Sequence, residues 1–243
     1  MMATLSSKQE MRESRWDALV REGVDRFPGA HGRIPNFEGA ARAAERVSEL
    51  KVWRDAGVLK CNPDSPQKPV RALALTGGKT IYMAVPKLRE LRCFVELAPD
   101  ELDAEQLRDA STIKGAFRVG RQVEIDEMPS IDLIVAGSVA VNKAGGRVGK
   151  GGGYSDLEYA LGREFGLIHE GTPILTTVHP LQLIAGELPR RRHDIPIDYI
   201  LTPEGVIETH TKLERPGGIY WELLPQEKIE AIPILGRLRQ EGR

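Results

Sequence analysis

Gly145-Gly146-Arg147-Val148-Gly149-Lys150-Gly151-Gly152-Gly153-Tyr154-Ser155-Asp156 separates an apolar run, residues 131–136, from an amphipathic one, residues 157–165. A strand, a glycine-rich loop and a helix in that order make a cradle for phosphate. Glycine reaches positive φ cheaply and lets several backbone N–H groups converge on one anion, while the start of the next helix adds partial positive charge. Arg147 and Lys150 would neutralise what the amides hold. A flexible glycine turn would account for the glycines, but not for two flanking cations and a following acid.

The run Ile131-Asp132-Leu133-Ile134-Val135-Ala136 has the β-branched character of a buried parallel strand. Further short runs at 58–61, 80–85, 94–97 and 173–178, and a final strand ending at 201, read the same way. Between them, helices are expected from Ser6 or Ser7 to about 23, over 39–56 through a small-residue stripe, from the turn at 62–66 to 75, over 103–110 capped by Asp103, and over 157–166. Residues 113–123 read as loop with a short strand. Strands alternating with helices predict an α/β three-layer sandwich with a largely parallel sheet. One domain is expected over 1–210, with residues 211–243 as a peripheral C-terminal extension.

A chain of 243 residues, 41% of them hydrophobic, can bury a proper core. Its net charge of -1 gives no general reason to expect nucleic acid or an anionic membrane, so any anion site must be local. Cys61 and Cys93 stand far apart without a CxxC or Cys/His spacing, which points to neither a disulfide framework nor zinc. Residues 1–10 lack an apolar signal core, and apolar runs of about 18 residues are absent, so the cytoplasm is the expected compartment.

Two other regions offer groups to a ligand. Lys8 and Arg12, four apart, share one face of the first helix, which periodicity alone reads as a solvated basic face. The loop 23–39 carries His31, Arg33, Asn36 and Glu38 between glycines and prolines. The glycine loop itself is not a Walker A motif, because Gly151 follows Lys150 where Ser or Thr would meet magnesium, and Ala144 replaces the leading glycine. Nor is it a Rossmann fingerprint, since the GxGxxG spacing is not met. What remains is Arg-x-Gly-x-Gly-x-Gly-Tyr-x-Asp, from Arg147 to Asp156.

That motif, the run 131–135 before it, His193-Asp194-Ile195-Pro196-Ile197-Asp198 one βα unit later and the basic pair Lys8 and Arg12 resemble the 5-formyltetrahydrofolate cyclo-ligase family, also called methenyltetrahydrofolate synthetases, over about residues 8–209. The resemblance implies a sandwich of the NagB/RpiA/CoA-transferase type and a reaction consuming ATP with Mg2+. It also implies site residues: Lys8, Arg12, Arg147, Lys150 and the backbone of Gly149, Gly151, Gly152 and Gly153 on the nucleotide; Asp156 and Asp194 on the metal; Lys150 and Tyr154 at the reacting groups; Arg33, Asn36 and Tyr154 on the substrate. The partners implied are ATP and a small molecule, folate or another heterocycle precursor, with neither nucleic acid nor membrane, in a monomer or homodimer.

The family's Tyr-Tyr-Asp-Arg is here Tyr154-Ser155-Asp156-Leu157, and its phenylalanine and aspartate before the loop are Val141 and Asn142. No glutamate stands at the equivalent of the pterin-binding carboxylate, where this chain reads Asp64-Ser65-Pro66-Gln67. Residues 33–40, 62–64 and 150–160 resemble the cyclo-ligase-like paralogues more closely, a subfamily linked to thiamine metabolism. No stretch resembles the aromatic RNP1 signature of an RNA-recognition module. An ATP- and magnesium-dependent cyclo-ligase is the leading expectation. A non-catalytic binder of ATP or thiamine phosphates is the alternative, and an isomerase or acyl-CoA enzyme on the same fold is a weaker one.

Overall fold

In the computed structural model, which describes residues 7–242, the chain enters through α1 (Lys8–Arg21). Ser7 caps it: the Ser7 hydroxyl accepts from the Glu10 N–H while the Glu10 carboxylate accepts from the Ser7 N–H. Such a reciprocal cap is worth about 1 kcal/mol. Ser6, the other expected cap, lies outside the described residues. A two-stranded ribbon, β1 (Asp25–Arg26) and β2 (Asn36–Phe37), then ties off the loop that follows. The helix expected over 39–56 is broken into α2 (Ala40–Glu45), a 3-10 turn (Arg46–Glu49) and α3 (Lys51–Asp55), with Leu50 extended between the last two. The break brings residues three apart onto one side, and Val47, Leu50 and Trp53 all enter the main core.

The main sheet is assembled from β3 (Val58–Cys61), β4 (Thr80–Ala84), β5 (Phe94–Leu97), β6 (Arg121–Val123), β7 (Leu133–Val135), β10 (Ile174–Thr177), β11 (Tyr199–Thr202) and β12 (Gly205–Glu208). Its order is β12-β11-β10-β7-β3-β4-β5-β6. The five strands from β11 to β4 are parallel, and the edges β12, β5 and β6 are antiparallel. Leu59 faces Leu133 on one side and Ile81 on the other, and all three are fully buried. Parallel neighbours require long crossovers; α4 (Lys68–Thr76) carries β3 to β4 and α7 (Tyr154–Glu164) lies between β7 and β10. A second ribbon, β8 (Ala140–Val141) with β9 (Arg147–Val148), stands between β7 and α7 and carries the start of the glycine loop. The result is an α/β fold with a mostly parallel sheet flanked by helices.

Three further expectations need correction. Asp103 caps α5 (Ala104–Ala110) as expected, but residues 113–119 are a second helix, α6 (Ile113–Val119), capped by Thr112, and not loop. The strand ending at 202 is not the last, because β12 folds back on it. The segment after 210 is not peripheral either. Its α8 (Gln226–Ala231) and α9 (Pro233–Gln240) bury Ile229, Ile232, Ile234, Leu235 and Leu238 in the main core. The apolar positions 234, 235 and 238 form one helical stripe, and the many charges around it had masked that pattern. No helix among the described residues is long and apolar enough to cross a membrane.

Candidate nucleotide and substrate cleft

Strand order reverses beside β3: β4 joins it on one side and β7 on the other. At such a switch point the loops leave in opposite directions and open a crevice at the carboxyl ends of the strands. Here the crevice is a cleft of about 930 Å³, lined by residues 62–65 after β3, 84–87 after β4 and Gly137 after β7, and closed by the glycine loop and the start of α1. Small-molecule sites occupy roughly 300–1,000 Å³, so there is room for more than one small ligand.

One end of the cleft gathers unpaired backbone donors and cationic side chains. Gly151 and Gly153 hold φ of +109° and +64°, conformations that side chains strongly disfavour. The N–H groups of Gly151, Gly152, Gly153, Tyr154, Ser155 and Asp156 donate to no acceptor among the described residues, the first intrahelical bond being Leu157 N to Gly153 O. Unpaired amides at the start of an eleven-residue helix are a ready anion site. α1 sets two cations beside them, its other face being fixed by Met11 against Ala140 and Val148 and by Trp16 and Leu19 against Ile34 and Val139. Arg12 Nε donates to Gly149 O at 2.7 Å, and Lys8 Nζ lies 2.5 Å from Asp194 Oδ2. Arg12 is thus brought to the glycine loop from 137 residues away, and Lys8 to Asp194 from 186.

Arg147 and Asp156 are partners of each other. Arg147 Nη2 donates to Asp156 Oδ1 at 2.6 Å and Nη1 to Gly137 O at 2.9 Å, with the guanidinium almost wholly buried. Burial pushes the Asp156 carboxyl up, but the Arg147 charge, the Ile195 N–H, the Arg147 hydrogen bond and Lys8 together hold it below its ordinary value. Asp156 Oδ2 and Asp194 Oδ1 make no hydrogen bond among the described residues, although His193 Nε2 stands 3.7 Å from the latter. No cluster of three or more His, Cys, Asp or Glu among the described residues could hold a metal by itself. Two hard carboxylate oxygens beside an anion cradle do suit Mg2+, which keeps several waters and takes one or two carboxylates plus phosphate oxygens.

Lys150 reaches across the cleft to Asp64 Oδ1 at 2.7 Å and remains nearly half exposed. Tyr154 borders the cleft, and its hydroxyl has no partner among the described residues. Arg33 lines the opposite wall, held by Trp16 Nε1 on its carbonyl while its own side chain is unpaired among the described residues. Asn36 is not in the cleft: it sits in the β1–β2 ribbon and donates to the Phe27 carbonyl at 2.8 Å, because strand pairing turns it that way.

Other residues of the site receive no role from the sequence alone. Asp64 puts a carboxylate on the wall beside Val85, Pro86, Ile113 and Phe117. Asn62 is the junction of the floor: its Oδ1 accepts from Gly137 N–H and Ser155 Oγ, and its Nδ2 donates to Glu158. Ser155, where the resembled family has an aromatic, therefore ties the glycine loop to the end of β3. Glu158 forms a buried ion pair with Lys60. Lys87 lines the cleft at φ 60° and is followed by buried Leu88 at φ 53°, two left-handed residues with strain of about 1–3 kcal/mol each. The one available signal was position, since polar residues just after a parallel strand fall at the sheet's carboxyl edge.

Comparison with known proteins bears on the family and the fold. The model of the 5-formyltetrahydrofolate cyclo-ligase family matches residues 5–203. Proteins named methenyltetrahydrofolate synthase domain-containing protein are similar along almost the whole chain: that of Mus musculus is 40% identical over 98% of this chain and 64% of its own length, and that of Bos taurus 39% over 97% and 62%. This chain thus spans less than two thirds of the length of those relatives. The solved structure of the Aquifex aeolicus 5,10-methenyltetrahydrofolate synthetase shares the fold, with a TM-score of 0.51 at 17% identity over 89% of this chain and 99% of that one. The chain belongs to the 5-formyltetrahydrofolate cyclo-ligase family.

Proposed function

We propose that the cleft binds ATP with Mg2+ and uses it to close a ring on a small formyl- or amide-bearing substrate, a folate or a related heterocycle precursor. The observation that carries this reading is the run of unpaired amides from Gly151 to Asp156 lining one cleft together with Lys8, Arg12 and Lys150. Those amides and cations are arranged for a polyphosphate, and little covalent chemistry is then asked of the protein.

The substrate oxygen attacks the terminal phosphorus of ATP, an O–P bond forms, and ADP departs with the electron pair of the broken bond. A neighbouring amine nitrogen then attacks the activated carbon, the C–O bond breaks, phosphate leaves, and the amine proton is lost to solvent. Lys150 serves both steps if it exchanges Asp64 for the transferred phosphate, as an exposed and weakly held ammonium can. Mg2+ would screen charge between phosphate oxygens, and Asp156 and Asp194 are the residues that would hold it, directly or through water. Arg147 keeps Asp156 ionised for that task. Tyr154 borders the reacting groups, Arg33 offers a cation to an acidic substituent, and Val85, Pro86 and Phe117 beside Asp64 suit a flat ring with N–H donors.

Purified protein incubated with ATP, Mg2+ and 5-formyltetrahydrofolate is expected to release phosphate as methenyl absorbance rises. Neither signal appearing removes the folate version. Calorimetric ATP binding without turnover of any formyl substrate would leave a binding protein in place of a ligase.

A further inference from the structure

The segment after 210 grips both loops of the anion site from outside the cleft. Arg190 donates to the Glu214 carbonyl, and Arg192 pairs with Glu222 and lies 4.1 Å from the centroid of the Tyr220 ring. Both arginines belong to the loop that ends in Asp194. The glycine loop is gripped by Lys228 of α8. Its Nζ donates to Gly152 O at 2.9 Å and stands 4.5 Å from the centroid of the Tyr154 ring. Burial pulls the Lys228 ammonium below its ordinary pKa while the Asp156 and Glu158 charges pull it back up. A partly desolvated cation is thus held on the loop by a carbonyl and a ring face.

Lys228 does not line the cleft, whereas Gly152 and Gly153 do, so it stands behind the loop. In a trans peptide the carbonyl and the following N–H point in opposite directions. A Gly152 carbonyl turned toward Lys228 therefore turns the Gly153 N–H away from it. Three successive glycines can reach many backbone conformations, and a flipped peptide would present a carbonyl oxygen where the site needs a donor. We infer that Lys228 is a positioning residue: from the C-terminal segment it fixes the Gly152–Gly153 peptide with its N–H toward the anion and its carbonyl away.

The identity of the anion rests on the nucleotide reading; the positioning role does not. Lys228→Met keeps most of the stem and removes the donor and the charge, and Lys228→Arg keeps both. On the ligand-free full-length chain, 15N relaxation should show the Gly151, Gly152 and Gly153 amides as ordered as the flanking strands in the wild type, freely mobile in Lys228→Met, and restored in Lys228→Arg. Calorimetry with MgATP should show affinity about tenfold weaker in Lys228→Met, the scale of one charge-assisted contact, and restored in Lys228→Arg. Unchanged order in Lys228→Met overturns the inference, as does unchanged MgATP affinity. If the wild type binds no MgATP but its loop loses order in Lys228→Met, the nucleotide reading fails and the role of Lys228 stands; pyrophosphate then probes the same amides.

Discussion

Replacing Arg147 by Met tests the electrostatic logic at the centre of the site. The guanidinium is 3% exposed and the Asp156 side chain 12%, with 2.6 Å between Nη2 and Oδ1. Methionine fills similar space and leaves Asp156 buried without its strongest partner. Breaking such a pair costs about 3–5 kcal/mol, because one charge stays uncompensated. For a chain of this size about 1 kcal/mol moves the thermal midpoint by roughly 2–4 °C, so the variant should melt about 6–20 °C lower. The cost has a pH signature. In the wild type the Asp156 carboxyl lies below its ordinary value, so its contribution is present above about pH 4 and is lost as pH falls through the folded value. In Arg147→Met burial remains without the Arg147 charge, which shifts the carboxyl upward. The deficit of the variant should then be full near pH 8 and shrink toward pH 5. Urea denaturation of wild type, Arg147→Met, Asp156→Leu and the double variant at both pH values measures it, and the double variant should recover much of the loss. A cost below about 1 kcal/mol, or one indifferent to pH, would refute the assignment of Arg147 as the partner that sustains Asp156.

Leu235→Ala should cost about 2–5 kcal/mol in denaturant unfolding, since Leu235 is fully buried in the main core; a loss no larger than that of a surface change would return the C-terminal segment to the periphery. Lys150→Met should leave stability within about 1 kcal/mol, the Lys150 side chain being nearly half exposed, while phosphate release from ATP collapses; retained turnover would remove Lys150 from the chemistry. Cys61 and Cys93 should resist alkylation until the protein unfolds, because both thiols are buried and burial raises each pKa, that of Cys93 to about 12; rapid labelling of native protein at pH 8 would contradict this.

Much of the fold is legible along the chain. The runs at 58–61, 80–84, 94–97, 133–135 and 174–177 are strands where β-branched and apolar residues cluster, and Asp103 caps a helix as its position predicts. Where the sequence misleads, a nonlocal demand has overridden local pattern. Residues 113–119 have little helical periodicity, yet Thr112 caps them and Ala116 packs into the core as a helix. The segment 40–55 has ample helix propensity and is broken so that Val47, Leu50 and Trp53 can all turn inward.

The sequence by itself determined the glycine-rich loop, the parallel strand before it and the helix after it, because all three depend on glycine's freedom, β-branching and periodicity within one short stretch. Only the tertiary structure decided who faces the cradle. Arg147 is spent on Asp156, Lys8 on Asp194 and Lys150 on Asp64, Asn36 turns away, and Lys228 arrives from a segment that reads as tail. Periodicity states which side of an element is apolar, but not which distant side chain will stand across from it; that choice is made when the faces pack.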